Sequence, residues 1–375
     1  MTSAPVFNFG GGGTRLADIK VEGESRVQNN FARSARWCAD GSSILVTAED
    51  RIIRVVKSLK ETTIIACPDA VVSTSWYPSA SGDNPATHCF VAGIRDSPVR
   101  LVDASDGRIR AQYPIVDHRE RVIAPHSLAF NPDASKLYCG FDSAIEVFDV
   151  SNPGHGTSDR LVLAKDAQKG LVSALAFAPD YSGIFAAGDY NGAVALYSEG
   201  SAAPIQHVDG VVGGGVTQIA FNPIRPTMML VAARRSGEIQ AFDTRDLSKP
   251  VKGLQRDGWT NQRLDFGLDP WGRYLAVGDQ RGTVKIWDTE TLELVCARPL
   301  SNDAIGSVQM HPLEPWILTA SGSRKTIDST DSDNDSDEEA SDNESSGSSD
   351  EDHTHSSHVL PPVSRSLGLA LWSFT

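Results

Sequence analysis

Along most of this chain hydrophobic and polar positions alternate in short runs broken by polar turns, and the runs recur. Four segments share one template: SLAFNPDASKLYCGFDSAIEVFDV (127–150), ALAFAPDYSGIFAAGDYNGAVALYS (174–198), QIAFNPIRPTMMLVAARRSGEIQAFDT (218–244) and DFGLDPWGRYLAVGDQRGTVKIWDT (265–289). Each reads as an alternating strand, an aromatic or apolar residue two before Pro, a polar turn, an apolar strand ending in small residues, a tight turn, and a third strand closing on aromatic-Asp. Weaker copies lie at 35–57, 74–103 and 308–324, the last finding its third strand only at 366–374. The anchors Ala39, Pro78, Pro132, Pro179, Pro223, Pro270 and Pro312 recur every 45.5 residues on average. A period of that size with four short strands per unit predicts an all-β, seven-bladed WD-repeat β-propeller.

Two columns of the repeat predict its core. Trp37, Trp76, Phe130, Phe177, Phe221, Leu268 and Met310 form one, and Val56, Val102, Phe148, Tyr197, Phe242, Trp287 and Trp372 the other. Period-two alternation sends successive side chains to opposite faces of a blade. The chain stops just after a third strand, so an N-terminal strand, Val6–Phe9 or Arg15–Val21, is expected to complete blade seven, with Gly10–Gly13 as a flexible spacer. The resulting division is 1–30 for the segment with the closing strand, 31–324 for the blades, 325–362 for an insertion in the last blade, and 363–375 for its final strand.

Composition changes the picture at the insertion. The formal charge is −14, but twelve carboxylates and no Lys or Arg lie between Asp328 and Asp352; without them 36 acids face 34 bases, a net of −2. The folded body is therefore near neutral, and a nucleic-acid surface stays open. The Ser/Asp/Glu-rich insertion cannot bury enough apolar surface to offset ordering, so it is expected to be disordered. Thr330, Ser332, Ser336, Ser341 and Ser349 each precede a carboxylate by three residues, a pattern like that of acid-directed kinase sites, where each phosphate would add about −1.5 to −2 charge. Such a loop could compete with RNA for the adjacent face. His353, His355 and His358 form an HxHxxH cluster that reads as a polar stretch more than a metal site.

Five scattered cysteines with no CxxC pair fit a reducing compartment. The start MTSAPVFNFGGGG has no basic stretch followed by an apolar one, and no run approaches a membrane span. The chain contains no GxxxxGK[ST], GxSxG or HExxH, and its glycine runs fail the GxGxxG spacing. Asp103, Asp149, Asp243 and Asp288 recur with the repeat and read as turn residues. No enzyme, cofactor or metal is expected.

In such a ring the loops leading into each blade and those between second and third strands share one face. That face collects Arg51, Arg95, Arg119, Arg121, His126, Lys169, Arg234, Arg235, Arg256, Arg263, Arg281, Arg324 and Lys325, while Asp50, Asp96, Asp142, Asp189 and Asp279 weight its acids toward the early blades. Blades five to seven form the more basic sector. There ARRSGE (233–238) and QRDGWTNQR (255–263) set Arg forks beside Trp259, Asn261 and Gln262. Cations beside aromatic planes suit an unpaired RNA loop, whose bases stack while its phosphates meet guanidinium groups. The candidate contacts are Arg234, Arg235, Arg256, Trp259, Asn261, Gln262, Arg263, Arg281, Arg324 and Lys325.

The strings FARSARWCADGSSILVTAEDRIIRV, PHSLAFNPDASKLYCGF, TNQRLDFGLDPWGRYLAVGDQRGTVKIWDT and LGLALW resemble the telomerase Cajal-body protein family of WD-repeat proteins, over roughly 29–324 and 363–375. The most specific stretch is TNQR-x-x-F-x-LDP-x-G at 260–272, since Trp287-Asp288 is the one full WD dipeptide at a strand end. The resemblance implies a non-catalytic RNA-binding protein that recognises a loop in small nuclear, guide or telomerase RNA. It further implies ribonucleoprotein (RNP) partners, a monomeric ring and a nuclear location, with nuclear bodies and a cytoplasmic pool left open. The alternative is a protein-only scaffold of small nuclear RNP or splicing complexes.

Overall fold

A computed structural model describes residues 4–19, 30–154, 156, 158–163, 168–324 and 367–375. Among these, twenty-eight strands and no helix form seven four-stranded antiparallel sheets. The sheets are the seven predicted blades. Blade one runs through Ala32–Trp37, Ser43–Ala48, Ile52–Lys57 and Glu61–Ala66, and the later blades repeat that order. Lys325, the five phosphorylation candidates and the three histidines of the HxHxxH cluster lie outside the described residues, as does the acidic insertion itself.

Apolar residues gather into seven clusters, each straddling one seam between neighbouring blades. Every member of the second predicted column, Val56 through Trp372, is buried. In the first column Phe130, Phe221 and Met310 are buried, while Trp37, Trp76, Phe177 and Leu268 are half-buried. The repeat therefore encodes seams: one sheet face alone cannot bury its apolar side chains, and each neighbour covers the other's. Inside the ring, hydroxyl and amide side chains stitch successive blades. Ser73 Oγ donates to Pro125 O (2.8 Å), Ser127 Oγ to Val172 O (2.8 Å), Ser173 Oγ to Val216 O (2.6 Å), Gln218 Nε2 to Phe266 O (2.9 Å) and Ser307 Oγ to Ala35 O (3.2 Å). The last of these joins blade seven to blade one.

Ring closure selects the second of the two expected strands. Thr14–Asp18 pairs antiparallel with Leu369–Ser373, Thr14 opposite Ser373 and Asp18 opposite Ala370. The Arg15 guanidinium lies 5.4 Å from the Trp372 ring centroid. Val6–Phe9 forms no strand. Instead Phe7 and Phe9 stack at 5.4 Å between centroids and press edge-on against Tyr274, with Phe9 also against Phe374. Nor is the whole glycine run a mere spacer: Gly13 has φ +57°, and a Cβ there would sit 2.8 Å from the Phe374 ring.

The recurrent aspartates are turn residues. Asp149 accepts from Ser151 N (2.8 Å), Asp103 from Ser105 N (2.8 Å), Asp243 from Arg245 N (3.0 Å) and Asp288 from Glu290 N (2.8 Å). This Asx geometry lets the chain reverse into the outer strand. All five cysteines are free thiols, four of them buried, and burial is the first cause pushing each thiol up.

Candidate nucleic-acid interface

The inner strands enclose a channel of about 610 Å³ whose polar wall is concentrated on blades one, six and seven. Two carboxylates there each serve two guanidinium groups. Asp265 accepts from Arg36 Nη2 (3.0 Å) and Arg263 Nε (2.7 Å), while Glu49 meets Arg33 Nε (3.2 Å) and Arg324 Nη2 (2.6 Å). Four cations against two anions leave the wall positive. Burial alone would raise the Asp265 carboxyl, but the Arg263 and Arg36 guanidiniums outweigh it and hold the group below the usual carboxylate range.

A pH prediction follows from Asp265. Its folded pKa lies below the unfolded value of about 3.9, so its contribution is complete above that pH and is lost as pH falls through the folded value. Asp265→Asn is expected to flatten the acid limb of stability in the range below about pH 4. Urea midpoints across that interval check it; parallel curves for parent and variant would count against this assignment.

At the mouth over blades four to six, the loop between second and third strands of blade five carries Arg234 and Arg235. Arg234 stacks on the Tyr190 ring (5.2 Å) and donates to Asn261 O; Arg235 Nε donates to Asn261 Oδ1 (2.8 Å). No carboxylate pairs with either among the described residues. Arg235 also takes φ +50°, in the left-handed region of backbone space. The glycines at 213–215 let the chain pass beneath, since a Cβ on Gly215 would lie 2.6 Å from Tyr190 O. His126 meets the Tyr190 edge at 6.2 Å, and burial followed by Arg95 lowers its pKa, favouring neutral imidazole.

The loop leading into blade six divides the remaining candidates. Trp259 is 73% exposed. Arg256 does not reach the face: it is 6% exposed, and it donates to Leu264 O (3.1 Å) and Ala233 O (3.3 Å). Burial pushes its pKa down to about 10 despite Asp265 and Asp279. Gln262 Nε2 donates to Gly322 O of blade seven (2.8 Å), and Gln262 N donates to Thr260 Oγ1 (3.1 Å). Thr260 O in turn accepts from Arg235 N (3.2 Å). The TNQR stretch is thus a strap joining blades five, six and seven, with Asn261 orienting Arg235. Arg281 pairs with Asp257 (2.5 Å) and Arg324 with Glu49, both exposed at their guanidinium ends.

Elsewhere on the face Arg121 pairs with Asp117 (2.7 Å) and Arg51 with Asp69 (3.8 Å), while Arg95, Arg119 and Lys169 are exposed. The acids counted from sequence project less charge than their number implies. Asp189 and Asp279 are buried and accept turn N–H groups, and Asp50 is committed to Arg54. Sequence reading missed Arg33, Arg36 and Tyr190. Two arginines on an innermost strand, ARSARW, were the available signal for the first pair.

No family model matches the chain. It is 31% identical over 330 residues to Telomerase Cajal body protein 1 of Homo sapiens, covering 82% of this chain and 60% of that protein. The bovine protein of the same name gives 31% over 325 residues, and the Drosophila melanogaster homolog 26% over 342 residues, covering 62% of that protein. Guanine nucleotide-binding protein negative regulator 1 of Schizosaccharomyces pombe is 28% identical over 290 residues, 70% of this chain and 72% of that one. The chain spans about three fifths of the first of these relatives. Over its propeller the chain is similar to the telomerase Cajal-body proteins, a family of WD-repeat proteins.

Proposed function

We propose that this propeller is a non-catalytic RNA-binding protein that takes a single-stranded loop of a small nuclear, guide or telomerase RNA at the mouth over blades five to seven and supports RNP assembly. The supporting observation is Arg234 stacked on the exposed Tyr190 ring, with Arg235 next to it and the exposed Trp259 in the neighbouring loop, neither arginine being matched by a carboxylate among the described residues. Bases stack on such rings regardless of sequence, and phosphates displace counterions from such cations. Asp265 and Glu49 hold the neighbouring guanidiniums in place, so the surface is organised before RNA arrives. Relatives of this chain are named for Cajal bodies, and we place it with them in the nucleus.

The test combines ultraviolet crosslinking in cells with titration of the recovered RNA. Arg235→Gly removes the charge and also relieves the left-handed backbone, so folding is retained. Arg234→Gln with Arg235→Gly is expected to lower the slope of log affinity against log salt by about 1.4, two phosphates at roughly 0.7 each. Trp259→Ala is expected to cost about 1–3 kcal/mol of binding. Unchanged RNA association in both variants would instead favour a protein-only scaffold.

A further inference from the structure

The turns between first and second strands form the face opposite the cationic mouth. In blades one to three the residues after the anchor are Asp40, Ser79 and Asp133. In blades four to seven a large apolar side chain stands exposed in the same turn: Tyr181, Ile224, Trp271 and Leu313. Tyr181 also adopts φ +59°, the position Gly41 and Gly272 occupy in blades one and six. A bulky aromatic in the left-handed region costs stability, and this ring at the surface gains little packing in return.

The blade-five and blade-six turns are one built surface. Asn222 Nδ2 donates to Gly272 O (2.7 Å) and Arg225 Nη2 to Thr289 Oγ1 (2.7 Å), fixing Ile224, 61% exposed, beside Trp271, 37% exposed. Pro223 and Pro270 immediately precede them and stiffen both turns. Two cations border the patch: Arg225, and Arg273, which lies 4.9 Å from the Tyr274 ring centroid. Neither forms an ion pair among the described residues, and Asp269, the carboxylate that feels Arg273, is buried beneath the turn.

We infer that this junction docks a segment of a protein partner in which an apolar side chain is flanked by carboxylates. Rigid apolar side chains bury area at small entropic cost, and the two guanidiniums select the charge of what surrounds the buried residue. The site is independent of the RNA reading, since it lies at the other end of the channel. A ring so equipped joins what it holds at one mouth to a protein at the other.

The test selects a phage-displayed peptide library on the full chain and titrates the recovered peptides by fluorescence anisotropy. Enriched peptides are expected to carry an apolar residue among Asp and Glu, and to bind at least about tenfold more weakly to Trp271→Ser and to Arg225→Glu with Arg273→Glu. Charge reversal at Arg234 and Arg235 should leave them unchanged. Ile224→Ser, at a more exposed site, supplies a second variant should Trp271→Ser disturb the fold. Peptides without carboxylates, or indifference to both apolar variants, would overturn the assignment. So would a concentration-dependent dimer abolished by Trp271→Ser, which would give the face to a second copy of the chain.

Discussion

Arg54→Met is expected to destabilise the ring by about 3–5 kcal/mol, far more than the loss of an exposed ion pair would. The Arg54 and Asp50 side chains are 1% and 2% exposed, joined by two bonds at 2.9 and 2.5 Å, with Asn30 Nδ2 donating to the same carboxylate at 2.7 Å. Removing the guanidinium strands a carboxylate away from water, and that desolvation sets the cost. The prediction therefore has a second half. Asp50→Leu combined with Arg54→Met is expected to recover most of the loss, because two apolar residues leave no charge to solvate. Denaturant midpoints of the parent, single and double variants decide it; a double variant as unstable as the single would place the cost elsewhere.

The second large effect lies at the ring's fastening. Phe9→Ala is expected to cost about 3–5 kcal/mol, since Phe9 fills a buried site among Tyr274, Phe374 and the blade-six-to-seven core. Deleting residues 1–18 goes further. It removes the strand paired with Leu369–Ser373 and leaves that strand's amides and carbonyls as an open edge, an invitation to pair with another chain. Light scattering on the eluted protein is expected to show the deletion variant associating while Phe9→Ala stays monomeric. A monomeric deletion variant with an unchanged midpoint would show that the ring holds without its fastening.

The fold was legible because its rule is local. Anchors that are Pro in six blades, alternating strands and, in four blades, an Asp at the third strand's end repeat at a near-constant spacing, and the buried column from Val56 to Trp372 follows from that register alone. The interface was legible as a sector but not as a set of contacts. Arg256 and Trp259 lie three residues apart in a loop without periodicity, where nothing in the residue types tells which side chain turns inward. The chain sends Arg256 to two carbonyls and Trp259 to solvent. Likewise TNQR signals the family, yet in the structure it chiefly ties blades together. A sequence signature can mark the residues that aim a binding group as readily as the group itself.

The pairing of Thr14 with Ser373 fixes where the two ends of the chain leave the ring. Strand Leu369–Ser373 runs away from the cationic mouth, and Thr14–Asp18 runs back toward it, so both ends depart from one corner on the far side. A biotin or fluorophore attached at either terminus would sit away from the arginine-rich mouth. Immobilised that way on a sensor chip, the molecule would offer that mouth outward to the flowing solution.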